Sequence, residues 1–132
     1  MELYGEIIIE NYENPRNKGR MQNADAEFHE VNTTCGDDIT IYIKVRDGKV
    51  DDVKFDGKGC AISIATASML TEAVKGKSIN EIEKMDFEFI KGLIGIDPGP
   101  ARLKCATLPL KTLKGALFIY QHKPMDEATK RL

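Results

Sequence analysis

Three cysteines and one aspartate are the residues of this chain best suited to chemistry. They are Cys35 and Asp37 in Thr34-Cys35-Gly36-Asp37, Cys60 in Gly59-Cys60-Ala61, and Cys105 in Lys104-Cys105-Ala106. Each cysteine stands beside glycine or another small residue. The thiolate is a soft donor that binds metal and attacks sulfur. Three thiolates that converge in space, with Asp37 close by, would make a three-sulfur metal site with an oxygen ligand. Taken singly, a free cysteine packs as a small hydrophobe. Separations of 25 and 45 residues match no local ligand motif, so the fold decides whether the thiols meet. Three is an odd number, so they cannot all pair within one chain. There is no Cys-x-x-Cys, which sets aside the usual zinc-finger and thioredoxin spacings.

The elements that must position these residues can be read along the chain. With 132 residues, 42% hydrophobic and 30% charged, a single globular domain over residues 1–132 is expected. Tyr4 to Tyr12 reads as a helix that stops before Asn14-Pro15, and Asn14 to Gly19 is loop chemistry. A weak strand covers Ala26 to Val31. Ile39, Ile41, Ile43 and Val45 alternate with polar neighbours, the period of a half-buried strand. Asp47-Gly48 then gives a hairpin turn, and Lys49 to Asp56 returns, with Val53 and Phe55 facing the core. Ala61 to Lys75 has helical spacing and stops at Gly76. Ser78 and Glu81 form a capping box for a short helix, and Phe87 to Ile96 is helical up to Asp97-Pro98-Gly99-Pro100. A final helix carries Leu110, Leu113, Leu117 and Tyr120 on one face, with Lys111 and Lys114 off it. Strands first and helices second predict an α+β fold: a small antiparallel β-meander of about three strands, with helices packed on one face. Residues 122–132 read as a flexible tail.

This map puts every cysteine at the end of an element. Cys35 precedes the strong strand, and Cys60 lies between Gly59 and the long helix. Pro109 is tolerated in the first turn of a helix but not deep within one. The final helix is therefore expected to begin near Ala106, with Cys105 at or next to its N-cap. The helix dipole would then favour thiolate at Cys60 and Cys105. Gly36 and Gly59 remove bulk where a cofactor would approach. An extended chain at Cys35 would point its side chain and that of Asp37 to the same side.

These residues carry a resemblance. The chain resembles the IscU/NifU-type iron–sulfur cluster scaffolds over nearly its whole length, to about Gln121. The resemblance rests on Tyr12-Glu13-Asn14-Pro15-Arg16-Asn17, Cys35-Gly36-Asp37, Gly59-Cys60 with its Ser/Ala-rich helix, Val74-Lys75-Gly76-Lys77, and Lys104-Cys105. It implies the IscU/NifU N-terminal fold and a transient [2Fe–2S] cluster on Cys35, Cys60 and Cys105. Asp37 would be the fourth ligand or the residue of ligand exchange and release. It also implies a cysteine desulfurase that delivers sulfur as persulfide to Cys35, Cys60 or Cys105, and apo iron–sulfur acceptor or carrier proteins. The desulfurase, not this chain, would be the enzyme.

Two departures from IscU qualify this. The Leu-Pro-Pro-Val-Lys recognition site of a dedicated Hsp70 chaperone is replaced by Asp97 to Lys104, so that partnership does not carry over. The histidine before the third cysteine is replaced by Lys104, which is expected either to lower the Cys105 pKa or to be solvated. Ala101-Arg102-Leu103-Lys104-Cys105-Ala106-Thr107-Leu108 instead looks like the SufU branch, whose members bind zinc and accept sulfur, although the SufU insertion between the second and third cysteines is missing. Zinc is therefore the alternative occupant of the same site, and sulfur transfer the alternative function.

Composition narrows the partners. A formal charge of −2 leaves no basic excess for nucleic acid. No apolar run approaches the ~20 residues of a membrane span. Met1 to Glu6 lacks the basic start of a signal peptide, so the cytoplasm is expected, where thiols stay reduced. Oligomeric state is left open, a homodimer included. His29 and His122 read as lone histidines. Lys111, Lys114, Lys123, Lys130 and Arg131 read as a solvated helix face and tail. A cysteine enzyme using Cys35 or Cys60 with His29 is the weakest reading, because no orienting partner or oxyanion motif matches it.

Overall fold

The alternation that marks the central strand also builds the sheet. In the computed structural model, which describes residues 3–132, β1 (Ala26–Asn32), β2 (Asp37–Arg46) and β3 (Lys49–Lys58) form an antiparallel sheet in the order β1-β2-β3. Met1 and Glu2 lie outside the described residues. Asp47 and Gly48 take φ of 54° and 74°, the left-handed pair that a tight hairpin between twisted strands requires. The register sets Phe28 opposite Ile41, Ile41 opposite Phe55, and Ile43 opposite Val53. Ile39, Ile41, Ile43, Val53 and Phe55 are fully buried on the inner face.

Helices cover that face. α1 (Leu3–Glu13) precedes the sheet, and α2 (Ala61–Val74) follows it, ending where Gly76 turns left-handed at φ 83°. α3 (Ile79–Glu83) opens on the Ser78–Glu81 capping box, with both reciprocal hydrogen bonds present. α4 (Phe87–Ile94) stops two residues short of the expected Ile96. Gly95 takes φ 77° and returns its N–H to the Lys91 carbonyl. α5 (Leu103–Tyr120) lies along β1 and β2. Gly115 makes that approach close, since a Cβ there would overlap the Phe28 ring.

The loop after α1 locks α2 in place. Ser68 Oγ donates to Asn11 Oδ1 (2.7 Å) and accepts from the Arg16 N–H (2.8 Å). Asn17 Nδ2 donates to Thr71 Oγ1 (3.1 Å). The same loop then pairs with the outer edge of β3: Phe55 N–H bonds Asn17 O and Gly19 N–H bonds Phe55 O. Residues 76–79 cover the other half of that edge through Val50 and Gly48. A free edge is a template for unwanted strand pairing, and two loops cover this one.

Three expectations are corrected. α5 begins at Leu103, after a 3₁₀ turn at Pro100–Arg102, so Cys105 is its third residue and not its cap. Pro109 therefore sits inside the helix, where it offers no N–H to the Cys105 carbonyl four residues back. Burial of Leu108, Leu110, Leu113 and Leu117 holds the helix together across that gap.

Residues 122–132 are not a flexible tail. They contain α6 (Glu127–Lys130), capped by the Asp126 carboxylate on the Thr129 N–H, and Thr129 is buried. Lys104 Nζ holds the following carbonyls of Arg131 (2.6 Å) and Leu132 (2.9 Å). A polar sequence gives no hint of such a distant lysine.

Lys114 is buried, not solvated. Its ammonium donates to the carbonyls of Glu83 (3.2 Å) and Met85, at the end of α3. Burial lowers its pKa, against the opposing pull of Asp126, Asp86 and Glu83. Replacing it as Lys114→Met keeps the alkyl stem and removes both hydrogen bonds. Urea unfolding is expected to show a loss of about 1–3 kcal/mol. Below the ordinary value of 10.5 the folded lysine binds fewer protons than the unfolded one, so its contribution rises with pH in that window. The stability gap between the two proteins should therefore widen as pH approaches 10.5; a constant gap would contradict the buried ammonium.

Candidate metal centre

The three cysteine segments meet at one end of the sheet. Cys35 comes from the turn before β2, Cys60 from the N-cap of α2, and Cys105 from the first turn of α5. The sulfurs of Cys35 and Cys105 are 3.2 Å apart, as free thiols. One ligand atom each from Cys35, Asp37 and Cys105 lies within 4.8 Å of the other two. Cys60 stands just outside that tight group. Its sulfur is 3.8 Å from Ser63 Oγ, and its thiol still acts on that of Cys105. Exposure falls from Cys35 (exposed) through Cys60 (half-buried) to Cys105 (fully buried).

Backbone turns create this convergence. The chain at Cys35 is a turn and not extended, so strand alternation is not what brings Cys35 and Asp37 together. Gly36 takes φ 76° and its N–H bonds the Asn32 carbonyl (2.8 Å), folding Thr33 to Gly36 into a turn that delivers Cys35 beside Asp37. Asn32 lies under it, with Nδ2 3.8 Å from Cys105 Sγ. A Cβ on Gly36 would meet nothing within 4 Å, so this glycine serves conformation and not clearance. Gly59 is the reverse case. A Cβ there would overlap Ser63 Oγ and come 2.8 Å from Asp37 Oδ1, so the space it leaves is filled by the aspartate's own partners.

Asp37 is the electrostatic centre of the site. It is 1% exposed. Its Oδ1 accepts from the Cys60 backbone N–H (2.9 Å) and from Ser63 Oγ (3.1 Å), at the N-terminus of α2. Its Oδ2 is buried with no donor at all. An unpartnered buried carboxylate oxygen is costly, and a cation is the partner that suits it. The donor set around it, thiols with one carboxylate, fits zinc or iron. Two thiolates on a tetrahedral ion with ~2.3 Å bonds stand roughly 3.8 Å apart, so Cys35 and Cys105 need to open by only about half an ångström.

Burial pushes the Cys105 thiol well above its ordinary pKa, and Cys35, Asp37 and Cys60 push it the same way. This reverses the expected helix-dipole effect at Cys105. The residue lies inside the first turn, surrounded by groups that disfavour a further negative charge. A bound metal ion would supply the compensation, since metal binding is coupled to loss of the proton.

The positive group at the thiols is Arg102. Its guanidinium pKa is raised first by Cys60 and then by Cys105. Lys104, the expected candidate, turns away to residues 131 and 132. Arg102 escapes sequence reading because a helix begun at Ala106 leaves it in a loop. With α5 begun at Leu103, its three-residue offset from Cys105 brings both to one side.

The histidines stand apart. His29 Nε2 is 2.6 Å from Asp38 Oδ1. His29 pairs with Thr40 in the register, so it shares the face of Thr40 and Asp38 and lies across the sheet from Asp37. His122, 17 residues beyond Cys105 past the end of α5, is about 25 Å away. A cysteine–histidine pair is thus not assembled.

A three-stranded sheet, helices on one face, and thiols gathered around a buried carboxylate at one end mark a protein of the iron–sulfur scaffold type. The chain belongs to the NifU-like N terminal domain family, whose profile it matches over residues 3–127. The iron-sulfur cluster assembly scaffold protein IscU 1 of Archaeoglobus fulgidus is 38% identical over 121 residues, covering 92% of this chain and 78% of that one. The zinc-dependent sulfurtransferase SufU of Bacillus subtilis is 40% identical over 129 residues, covering 85% and 87%. A crystal structure from Fervidobacterium islandicum AW-1, described as a scaffold protein for iron–sulfur cluster assembly of the SUF system, superposes with a TM-score of 0.74 at 31% identity, covering 85% of this chain and 94% of that one. Among the described residues no helix is long and apolar enough to cross a membrane.

The cradle of Asp37 makes a direct prediction. Gly59→Ala forces Asp37 or Ser63 aside while leaving every candidate ligand in the sequence. Zinc affinity, read by chelator competition, is expected to fall about 10–100-fold with the far-ultraviolet spectrum unchanged. Affinity equal to that of the parent protein would show that the carboxylate need not be held.

Proposed function

We propose that this protein assembles a transient [2Fe–2S] cluster on Cys35, Cys60 and Cys105 and passes it to apoproteins, with Asp37 as the fourth or exchangeable ligand. The observation that carries this reading is buried Asp37, which has one carboxylate oxygen, Oδ2, without a partner and whose carboxylate lies within 4.8 Å of the sulfurs of Cys35 and Cys105. Iron–sulfur clusters are commonly held by four thiolates. A hard carboxylate at one corner is a poorer match to iron bridged by sulfide, and so a natural point of release. Cys60, at the N-cap of α2, joins the group by rotation of its side chain.

The sulfur comes from a cysteine desulfurase. A thiolate of this protein attacks the outer sulfur of the partner's persulfide, and the partner's thiolate leaves. Cys35 suits that first contact because it is the exposed thiol. The chain is a scaffold and not an enzyme in this reading, and the desulfurase performs the carbon–sulfur chemistry. Three unpaired thiols support a reducing compartment such as the cytoplasm.

A second reading has support of its own. The 40% identity to a zinc-dependent sulfurtransferase favours a zinc-held site that accepts persulfide sulfur without building a cluster. Anaerobic reconstitution with iron, cysteine and a desulfurase separates the two. A cluster chromophore that moves to an apo-ferredoxin supports the scaffold. Zinc that iron does not displace, with persulfide still formed, supports sulfur transfer. In the scaffold reading Asp37→Ala is expected to slow cluster release; unchanged transfer kinetics would remove Asp37 from the role of labile corner.

A further inference from the structure

Residues 126–132 close on the segment that carries Cys105. Their start is fixed by the Asp126 cap and the buried Thr129. Their far end is fixed by Lys104, the residue immediately before Cys105. Its ammonium spans the carbonyls of Arg131 (2.6 Å) and Leu132 (2.9 Å). Leu132 packs against the hydrophobic core and, with Lys104, lines two adjoining cavities. One, about 280 Å³, is bounded by Asn32 and Leu108; the other, about 130 Å³, by Leu103 and Thr107. The strap therefore grips the first turn of α5 from outside, at Leu103 and Lys104.

That turn needs an external hold. Its N-cap, Arg102, makes no side-chain capping bond, and Pro109 denies the Cys105 carbonyl its helical donor. Asn32 reaches Cys105 only by a weak contact at 3.8 Å.

We infer that residues 126–132 are a strap fixing the Cys105 turn, and that Lys104 is a positioning residue for the Cys105 sulfur, acting by its two hydrogen bonds to the strap and not by its charge on the thiol. This rests on Cys105 belonging to the proposed centre, but its consequence is measurable with no metal present.

Alkylation of the reduced, metal-free full chain by iodoacetamide, followed by peptide mass spectrometry, reads each thiol separately. Lys104→Ala is expected to raise the rate at Cys105 about tenfold, the scale of losing a charged hydrogen bond. The rate at Cys35 should stay within about twofold. Lys104→Arg, which keeps donors for both carbonyls, should return the Cys105 rate to within about threefold of the parent. Leu132→Ala should move Cys105 in the same direction as Lys104→Ala, and it carries the test if Lys104→Ala does not fold. With cobalt as a probe ion, the sulfur-to-cobalt absorption band should shift in Lys104→Ala and return in Lys104→Arg. An unchanged Cys105 rate overturns the inference, as does an equal rise at Cys35, or a Lys104→Arg protein as reactive as Lys104→Ala. Failure of cluster assembly with these alkylation results intact would instead strike the functional reading alone.

Discussion

A carboxylate buried between a strand and a helix organises this molecule. Asp37 opens β2, and its Oδ1 receives the Cys60 N–H and the Ser63 hydroxyl at the start of α2. The helix end brings a favourable dipole to the charge, and the charge fixes where the helix begins. Gly59 has no side chain because this contact leaves no room for one. The same residue that joins sheet to helix lies beside the thiols and keeps its second oxygen without a partner. The fold and the site are thus two uses of one side chain.

Around that anchor the thiols are graded by access. Cys35 rides an exposed turn made possible by Gly36, Cys60 sits half-covered at a helix cap, and Cys105 is sealed in the first turn of α5. Access from solvent falls in that order. The two inner thiols raise the pKa of the Arg102 guanidinium, and a positive charge that feels them favours a thiolate.

Most of the frame was legible from the sequence because it rests on local rules. The Ile39–Ile43 alternation, the Asp47-Gly48 turn and the Ser78–Glu81 box each depend on residues within a few positions, and the structure repeats them. The errors arose where distant packing overrode a local rule. Pro109 argued for a late helix start, but buried leucines carry α5 through it. That one misplacement hid Arg102 and gave Cys105 a cap position it does not have. Lys104 and Lys114 looked solvated because their partners, backbone oxygens 27 or more residues away, leave no trace in a linear reading. The four site residues stood out by type, but only a backbone turn at Gly36, invisible to strand periodicity, sets Cys35 against Cys105.

Pro109 has a mechanical meaning as well. A helix transmits displacement along its axis through its ladder of backbone bonds, and the rung that would run from residue 109 to Cys105 is missing. The first turn of α5 is therefore joined to the leucine-packed shaft behind it by one backbone bond fewer, and it is steadied from outside through Lys104. In the proposed function a change in the size of the cargo would be taken up at that turn, while the shaft that holds the sheet in register stays still. The proline is a joint between a rigid body and its working tip.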